Sequence, residues 1–240
     1  MKKPVLAIAA LASIFALAGC AAPTSATSSS TASASATSAT VDASGNSVAC
    51  SGTATATPSL TEGPYYKAGN FVRSDITEGQ AGMPMSLTIS VVDTSCNPIP
   101  NATVDIWHAN AQGQYSGVTD PREGCATCGN ATFLRGTQTT NAQGQVTFQT
   151  IFPGWYPGRT VHIHVKVWQN GKQVLTSQFF VTQADSDTVF STAGYKGKQD
   201  TTNARDSIAQ QAGSGLAGLT MRNTFAGGKD TASVQLVLKQ

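Results

Sequence analysis

The sequence has little charge and almost no histidine. Its 240 residues carry 15 lysines and arginines against 13 aspartates and glutamates, and three histidines. The basic residues are neither in excess nor clustered, which removes the electrostatic footprint of a nucleic-acid-binding protein. Long amphipathic helical patterns are lacking too, which points away from helical architectures. Only one Cys-x-x-Cys pair is present, Cys125 and Cys128, so a zinc site built from two such pairs has no material. The apolar run Pro4 to Ala18 is too short and too promptly ended for a membrane-spanning helix.

That run, preceded by Lys2 and Lys3, reads as a signal peptide over residues 1–19. It ends in Leu17-Ala18-Gly19-Cys20, which resembles the lipobox of bacterial lipoproteins. The resemblance implies cleavage before Cys20, a lipid on that cysteine, and an extracytoplasmic chain anchored to the membrane of the cell envelope. Ordinary secretion, with cleavage between Ala18 and Ala22, is the alternative. Loss of Lys2 and Lys3 leaves 13 basic against 13 acidic residues. Residues 20–49 are expected to form a tether, because the Ala, Ser and Thr of 21–47 cannot bury enough apolar surface to offset the entropy of ordering. As a coil it spans on the order of 30 Å. Outside the reducing cytosol, Cys50, Cys96, Cys125 and Cys128 read as two disulfides. Three pairings are possible, and Cys50 with Cys96 and Cys125 with Cys128 is the favoured one.

The expected folded domain runs over 50–240, long enough for one proper core. Met85 to Asp93, Ala102 to Trp107, Val146 to Ile151, Lys172 to Val181 and Ser233 to Leu238 read as strands. Asn-Ala-Gln-Gly-Gln occurs twice, at Asn110 to Gln114 and at Asn141 to Gln145, as repeated hairpin chemistry whose Asn and Gly tolerate positive φ. Short helices are expected around Asp185 to Phe190 and Ala204 to Gln211. The fold class is all-β, an antiparallel β-sandwich with irregular loops and at most short helices.

The densest chemistry lies between Gly154 and Trp168. From Thr160 the chain alternates strictly, Val161, Ile163, Val165 and Val167 on one side, His162, His164, Lys166 and Trp168 on the other. His162 and His164 therefore share a face, about 7 Å apart along a strand, and can converge on one metal ion. The preceding turn, Gly154 to Arg159, can swing the Tyr156 phenol and the Arg159 guanidinium over that face.

Four segments resemble, in order, the motifs of the intradiol ring-cleavage dioxygenases: Thr61-Glu62-Gly63-Pro64-Tyr65-Tyr66; Asp105-Ile106-Trp107-His108-Ala109-Asn110 leading to Gly113-Gln114-Tyr115-Ser116; Phe133-Leu134-Arg135-Gly136; and Gly154 to His164. The resemblance spans roughly residues 58–182 and is specific through the combination. It implies a non-haem Fe(III) ion held by Tyr115, Tyr156, His162 and His164, a donor set that suits a hard cation. It implies that Tyr156 leaves the metal when a catechol-type aromatic chelates, taking a catechol proton, and that O₂ is inserted to give a muconate-type product. Arg159 matches the arginine that stabilises negative charge on the substrate ring, and Gln178 the glutamine that partners it. The chain departs from cytoplasmic members in having a tether instead of a helical dimerisation segment, and in placing His162 only six positions after Tyr156. No oligomeric state follows from the sequence.

Two other readings stay open here. One is a non-catalytic, transthyretin-like extracellular β-sandwich binding module, suggested by the run Asp93 to Thr103 followed by Gly144 to Pro153. The other is a zinc site using His108, His162 and His164, although a core hydrogen-bonding role suits His108 better. Tyr65 and Tyr66 either line the substrate entrance or pack.

Overall fold

In the computed structural model, residues 50–239 are described, except 51, 70 and 121. The expected signal peptide, the expected lipid site Cys20 and the expected tether lie outside the described residues. Among the described residues, eight strands form two sheets: β1 (Pro84–Asp93), β2 (Thr103–Trp107), β3 (Arg135–Thr139), β4 (Gln145–Ile151), β5 (His162–Gln169), β6 (Lys172–Phe180), β7 (Arg222–Ala226) and β8 (Lys229–Leu238). One sheet has the order β4-β1-β8-β7 and the other β3-β2-β5-β6. The helices are short: α1 (Gln183–Phe190), α2 (Ser207–Gln211) and α3 (Leu216–Leu219), with a 3₁₀ turn at Gly213–Gly215. The expected all-β sandwich is what forms.

One pairing departs from the antiparallel rule, since β1 and β8 run parallel. A parallel neighbour needs a long connection, and the chain between them supplies it by building the other sheet and the helices before returning. The inner faces make the core. Leu87, Ile89 and Val91 of β1 and Val234 and Leu236 of β8 meet Val104 and Ile106 of β2 and Ile163, Val165 and Val167 of β5. Each is an alternate position of its strand, as period-two geometry requires.

The segment before β1 ties the sheets together. Thr57 N donates to Val237 O at 2.9 Å on β8, and Leu60 N to Thr176 O at 2.9 Å on β6. Cys50 is bonded to Cys96, pinning the start of this segment to the turn after β1, and Cys125 is bonded to Cys128. Both pairings are the expected ones.

The two Asn-Ala-Gln-Gly-Gln turns share one geometry. Asn110 Oδ1 accepts from Gln112 N and Gln114 N, both at 3.0 Å, and Asn141 Oδ1 from Gln143 N and Gln145 N, both at 2.9 Å. Positive φ falls on Gly113 and Gly144, so the Asn acts through its side chain rather than its backbone, an Asx turn.

Candidate metal centre

The outer face of the second sheet carries the site. Strand register places Arg135, Trp107, His164 and Gln178 in one cross-strand row, and Thr137, Asp105, Lys166 and Thr176 in the next. The second row anchors a strap, residues 61–66, across the sheet. Lys166 pairs with Glu62, and its ammonium lies 3.7 Å from the centroid of the Tyr66 ring. Asp105 accepts from Thr137 Oγ1 and from Tyr66 OH at 3.1 Å. Burial raises the Asp105 pKa, against those hydrogen bonds and Lys166. Gln178 Nε2 donates to Thr61 O at 2.9 Å, holding the other end.

Two turns bring the tyrosines to this face. A Cβ on Gly113 would lie 2.1 Å from Trp155 O, and one on Gly154 2.2 Å from Asn110 O. The absence of side chains at both places lets the turn carrying Tyr115 nest against the turn carrying Tyr156.

The four polar tips converge. Tyr115 Oη lies 3.3 Å from His162 Nε2 and 3.1 Å from His164 Nε2, and Tyr156 Oη lies 3.1 Å from His162 Nε2. All four residues are buried. His162 Nδ1 donates to Thr160 O at 2.7 Å, which leaves Nε2 of the neutral ring with its lone pair turned into the cluster. His164 is clamped between Trp107, stacked at 4.8 Å and 7°, and Gly63, where a Cβ would come within 3.1 Å of Cε1. Its Nδ1 is buried without a hydrogen-bond partner among the described residues.

Hydrogen bonding does not account for this arrangement. The single lone pair of His162 Nε2 faces three donors, Tyr115 OH, Tyr156 OH and Arg159 Nη1, the last at 3.3 Å. Tyr115 likewise has one proton for two imidazoles. Donors about 2.1 Å from a first-row metal ion stand about 3.0–3.4 Å apart along the edges of its coordination polyhedron, which is the spacing seen. The electrostatics agree. Burial pushes His162 down to about 3 and His164 well below its ordinary value, helped by Arg159 at the first and by His162 at the second, so both rings are neutral. Burial also raises Tyr115, with Tyr156 adding to it, and raises Tyr156 against the opposing pull of Arg159. Two phenolates here require a compensating cation, and the donor set fits a hard, highly charged one.

Arg159 sits over the cluster with its guanidinium fixed on two sides. Its Nη2 donates to Gln178 Oε1 at 2.6 Å, its Nε to Asp206 Oδ2 at 2.8 Å, and its Nη1 reaches Tyr156 Oη at 3.3 Å. Sequence reasoning missed Asp206. The expected helix from Ala204 placed it inside, whereas α2 begins at Ser207 and Asp206 is its N-cap, Oδ1 accepting from Ile208 N and Ala209 N. The Asp-before-helix signal was there to find it. The Trp107 stack and the Gly63 contact were invisible, being set by register and by the strap. His108 does not join the cluster. It faces inward, with Nε2 on Thr150 Oγ1 at 2.8 Å and Nδ1 on Ala109 O at 2.9 Å, and burial takes it down to about 4. Among the described residues no group of three or more His, Cys, Asp and Glu is placed to hold a metal, so the three-histidine zinc reading fails. Tyr65 lies on Tyr115, ring centroids 4.8 Å apart, and Tyr66 on Trp107 at 4.9 Å.

Comparison with known proteins adds to this geometry. A family model described as "Dioxygenase" matches residues 61–211. An intradiol ring-cleavage dioxygenase from Tetranychus urticae is 32% identical, with a TM-score of 0.70 over 78% of this chain and 95% of that one. The dioxygenase domain of a dioxygenase and carbohydrate-binding protein fusion from Streptomyces sp. is 29% identical, with a TM-score of 0.58 over 77% and 99% of the two chains. Catechol 1,2-dioxygenase of Acinetobacter baylyi is 31% identical over 156 residues, 55% of this chain and 49% of that protein. The chain thus spans about half the length of the curated relatives it matches. The two-sheet sandwich, the four converging donors and these matches over the same residues have one reading: the chain belongs to the intradiol ring-cleavage dioxygenase family.

Proposed function

We propose that this protein cleaves a catechol-type aromatic between its two hydroxyls, inserting O₂ at a non-haem Fe(III) ion held by Tyr115, Tyr156, His162 and His164, to give a muconate-type product. The observation that carries the proposal is the convergence of two phenols and two imidazoles under a fixed guanidinium. A bound Fe(III) would supply the Lewis acidity that makes a catecholate ring reactive toward O₂. A transthyretin-like binding module has no use for such a donor set.

The residues divide the work. Tyr115 and His164 touch each other and are held by Tyr65, Trp107 and Gly63, which suits ligands that stay in place. Tyr156 belongs to a turn and has Arg159 at its oxygen, which suits the ligand that departs. Once free of a bound metal, its Oη would be placed to take one catechol proton, and Arg159 would steady the phenolate until then. With its Nε and Nη2 engaged, Arg159 keeps Nη1 aimed at the cluster, where negative charge on the bound ring develops. This is a donor preorganised for charge that appears only during reaction.

The Leu17 to Cys20 segment and the two disulfides support an extracytoplasmic, lipid-anchored location, since such bonds persist in oxidising compartments. Oxygen uptake with the iron-loaded protein and catechol tests the activity. The expected result is stoichiometric O₂ consumption with formation of a muconate. Arg159→Lys should retain bound iron and lower kcat about a hundredfold. No uptake with any catechol, or a semialdehyde product from cleavage outside the hydroxyls, contradicts the proposal.

A further inference from the structure

The loop after Tyr115 brings a carboxylate to the edge of the cluster. Tyr115 N donates to Glu123 O at 2.7 Å, so the backbone of Glu123 is tied to that of a cluster residue. The loop is braced by the Cys125 to Cys128 bond and by Gly117 N donating to Cys128 O at 2.6 Å. Tyr65, whose ring lies on that of Tyr115, donates its hydroxyl to Glu123 Oε2 at 2.8 Å. Tyr65 and Tyr156 are the two phenols packed on Tyr115, with ring centroids 4.8 and 5.8 Å from its own.

Apart from Lys67, the other charges nearby have partners of their own. Asp120, on the same loop, has Arg122 at 3.6 Å. Arg159 is paired with Asp206, and Arg135 is buried beneath with its guanidinium on Ser116. Lys67 is exposed, its chain lying along Gly117. Glu123 forms no ion pair among the described residues; its carboxylate is held at the edge of the cluster by the Tyr65 hydroxyl.

We propose that Glu123 is a specificity-determining residue, and that the site takes catechols bearing a cationic side arm in preference to those bearing a ring carboxylate. The proposal rests on the dioxygenase reading of the same site. A neutral catechol falls between the two classes. For a substituent charge about 6 Å from the carboxylate, at an effective dielectric near 40, Coulomb's law gives about a tenfold effect on binding in each direction.

The test is calorimetric binding, beside turnover, of 4-(2-aminoethyl)catechol, catechol and 3,4-dihydroxybenzoate to the iron-loaded protein. The wild type should bind them in that order of decreasing affinity. Glu123→Gln should compress the amine-to-carboxylate Kd ratio at least tenfold, and Glu123→Lys should invert it. Tyr65→Phe removes the hydrogen bond but keeps the charge, so it should preserve the order, which separates charge from loop geometry. A wild type that favours the carboxylate, or a ratio that Glu123→Gln does not move, overturns the proposal. A ratio that shifts as expected without turnover of any catechol instead overturns the dioxygenase reading and leaves the rim assignment standing.

Discussion

Asp206 holds Arg159 and starts a helix with the same side chain. Oδ2 accepts from Arg159 Nε and from Thr160 N, each at 2.8 Å, while Oδ1 caps α2. The carboxylate is fully buried. Burial opposes its ionisation, but Arg159 and the backbone N–H groups outweigh burial and hold its pKa below the ordinary value. A lowered carboxyl pKa in the folded state stabilises the protein above the unfolded value of about 3.9, and this contribution is lost as pH falls below it. Asp206→Ala should cost about 3 kcal/mol in denaturant unfolding at neutral pH and flatten the acid limb. Asp206→Asn keeps the cap and should cost less, yet should still lower kcat because Arg159 is no longer aimed. Full activity in Asp206→Asn would show that the pair serves stability alone.

Gly63 is where the strap touches a candidate ligand. Its φ is +75°, and a Cβ there would stand 3.1 Å from His164 Cε1. Gly63→Ala should therefore destabilise by about 1–2 kcal/mol through backbone strain. It should also tilt the His164 ring away from Trp107 and reduce iron retention on dialysis against a chelator. Iron retention equal to the wild type would mean that the strap yields and the imidazole does not.

Asp230 acts in the opposite sense to Asp206. It is buried on β8, where Oδ2 accepts from Asn223 Nδ2 at 2.7 Å, while Asp230 Oδ1 and Asn223 Oδ1 are both buried without partners among the described residues. Burial raises its pKa to about 6. Between about 3.9 and 6 the folded state binds the proton more tightly, so this group makes stability fall as pH rises through that window. Above it the penalty is constant. Asp230→Asn should raise stability at pH 7 by about 1–3 kcal/mol, with little change at pH 4. An equal effect at both pH values would assign it to packing.

What was legible in the sequence was whatever local periodicity and short-range chemistry encode. The alternation from Thr160 placed His162 and His164 on one face, the turn before it delivered Tyr156 and Arg159, and the cysteines were paired as the structure has them. The strands β3 and β7 were missed because each is a short, polar edge strand, Arg-Gly-Thr-Gln-Thr and Arg-Asn-Thr-Phe-Ala, with no apolar alternation. The first residues of β8 were missed for the same reason, since Lys229 and Asp230 do not read as strand. Asp206 and Glu123 meet their partners 47 and 58 positions away, and no local pattern encodes such distances. Resemblance to a family supplied the candidate ligand set that alternation alone left as a pair of histidines.

We propose that Tyr115, Tyr156, His162 and His164 form an iron site. The most direct measurement is the visible spectrum and metal content of the purified domain beside its Tyr115→Phe variant. The iron-loaded protein should be red-brown, with a tyrosinate-to-iron(III) band, stoichiometric iron, and a shift of the band when catechol is added. In Tyr115→Phe the band should weaken and iron should be lost more easily. A protein that stays colourless after iron loading, or a band untouched by Tyr115→Phe, would contradict it.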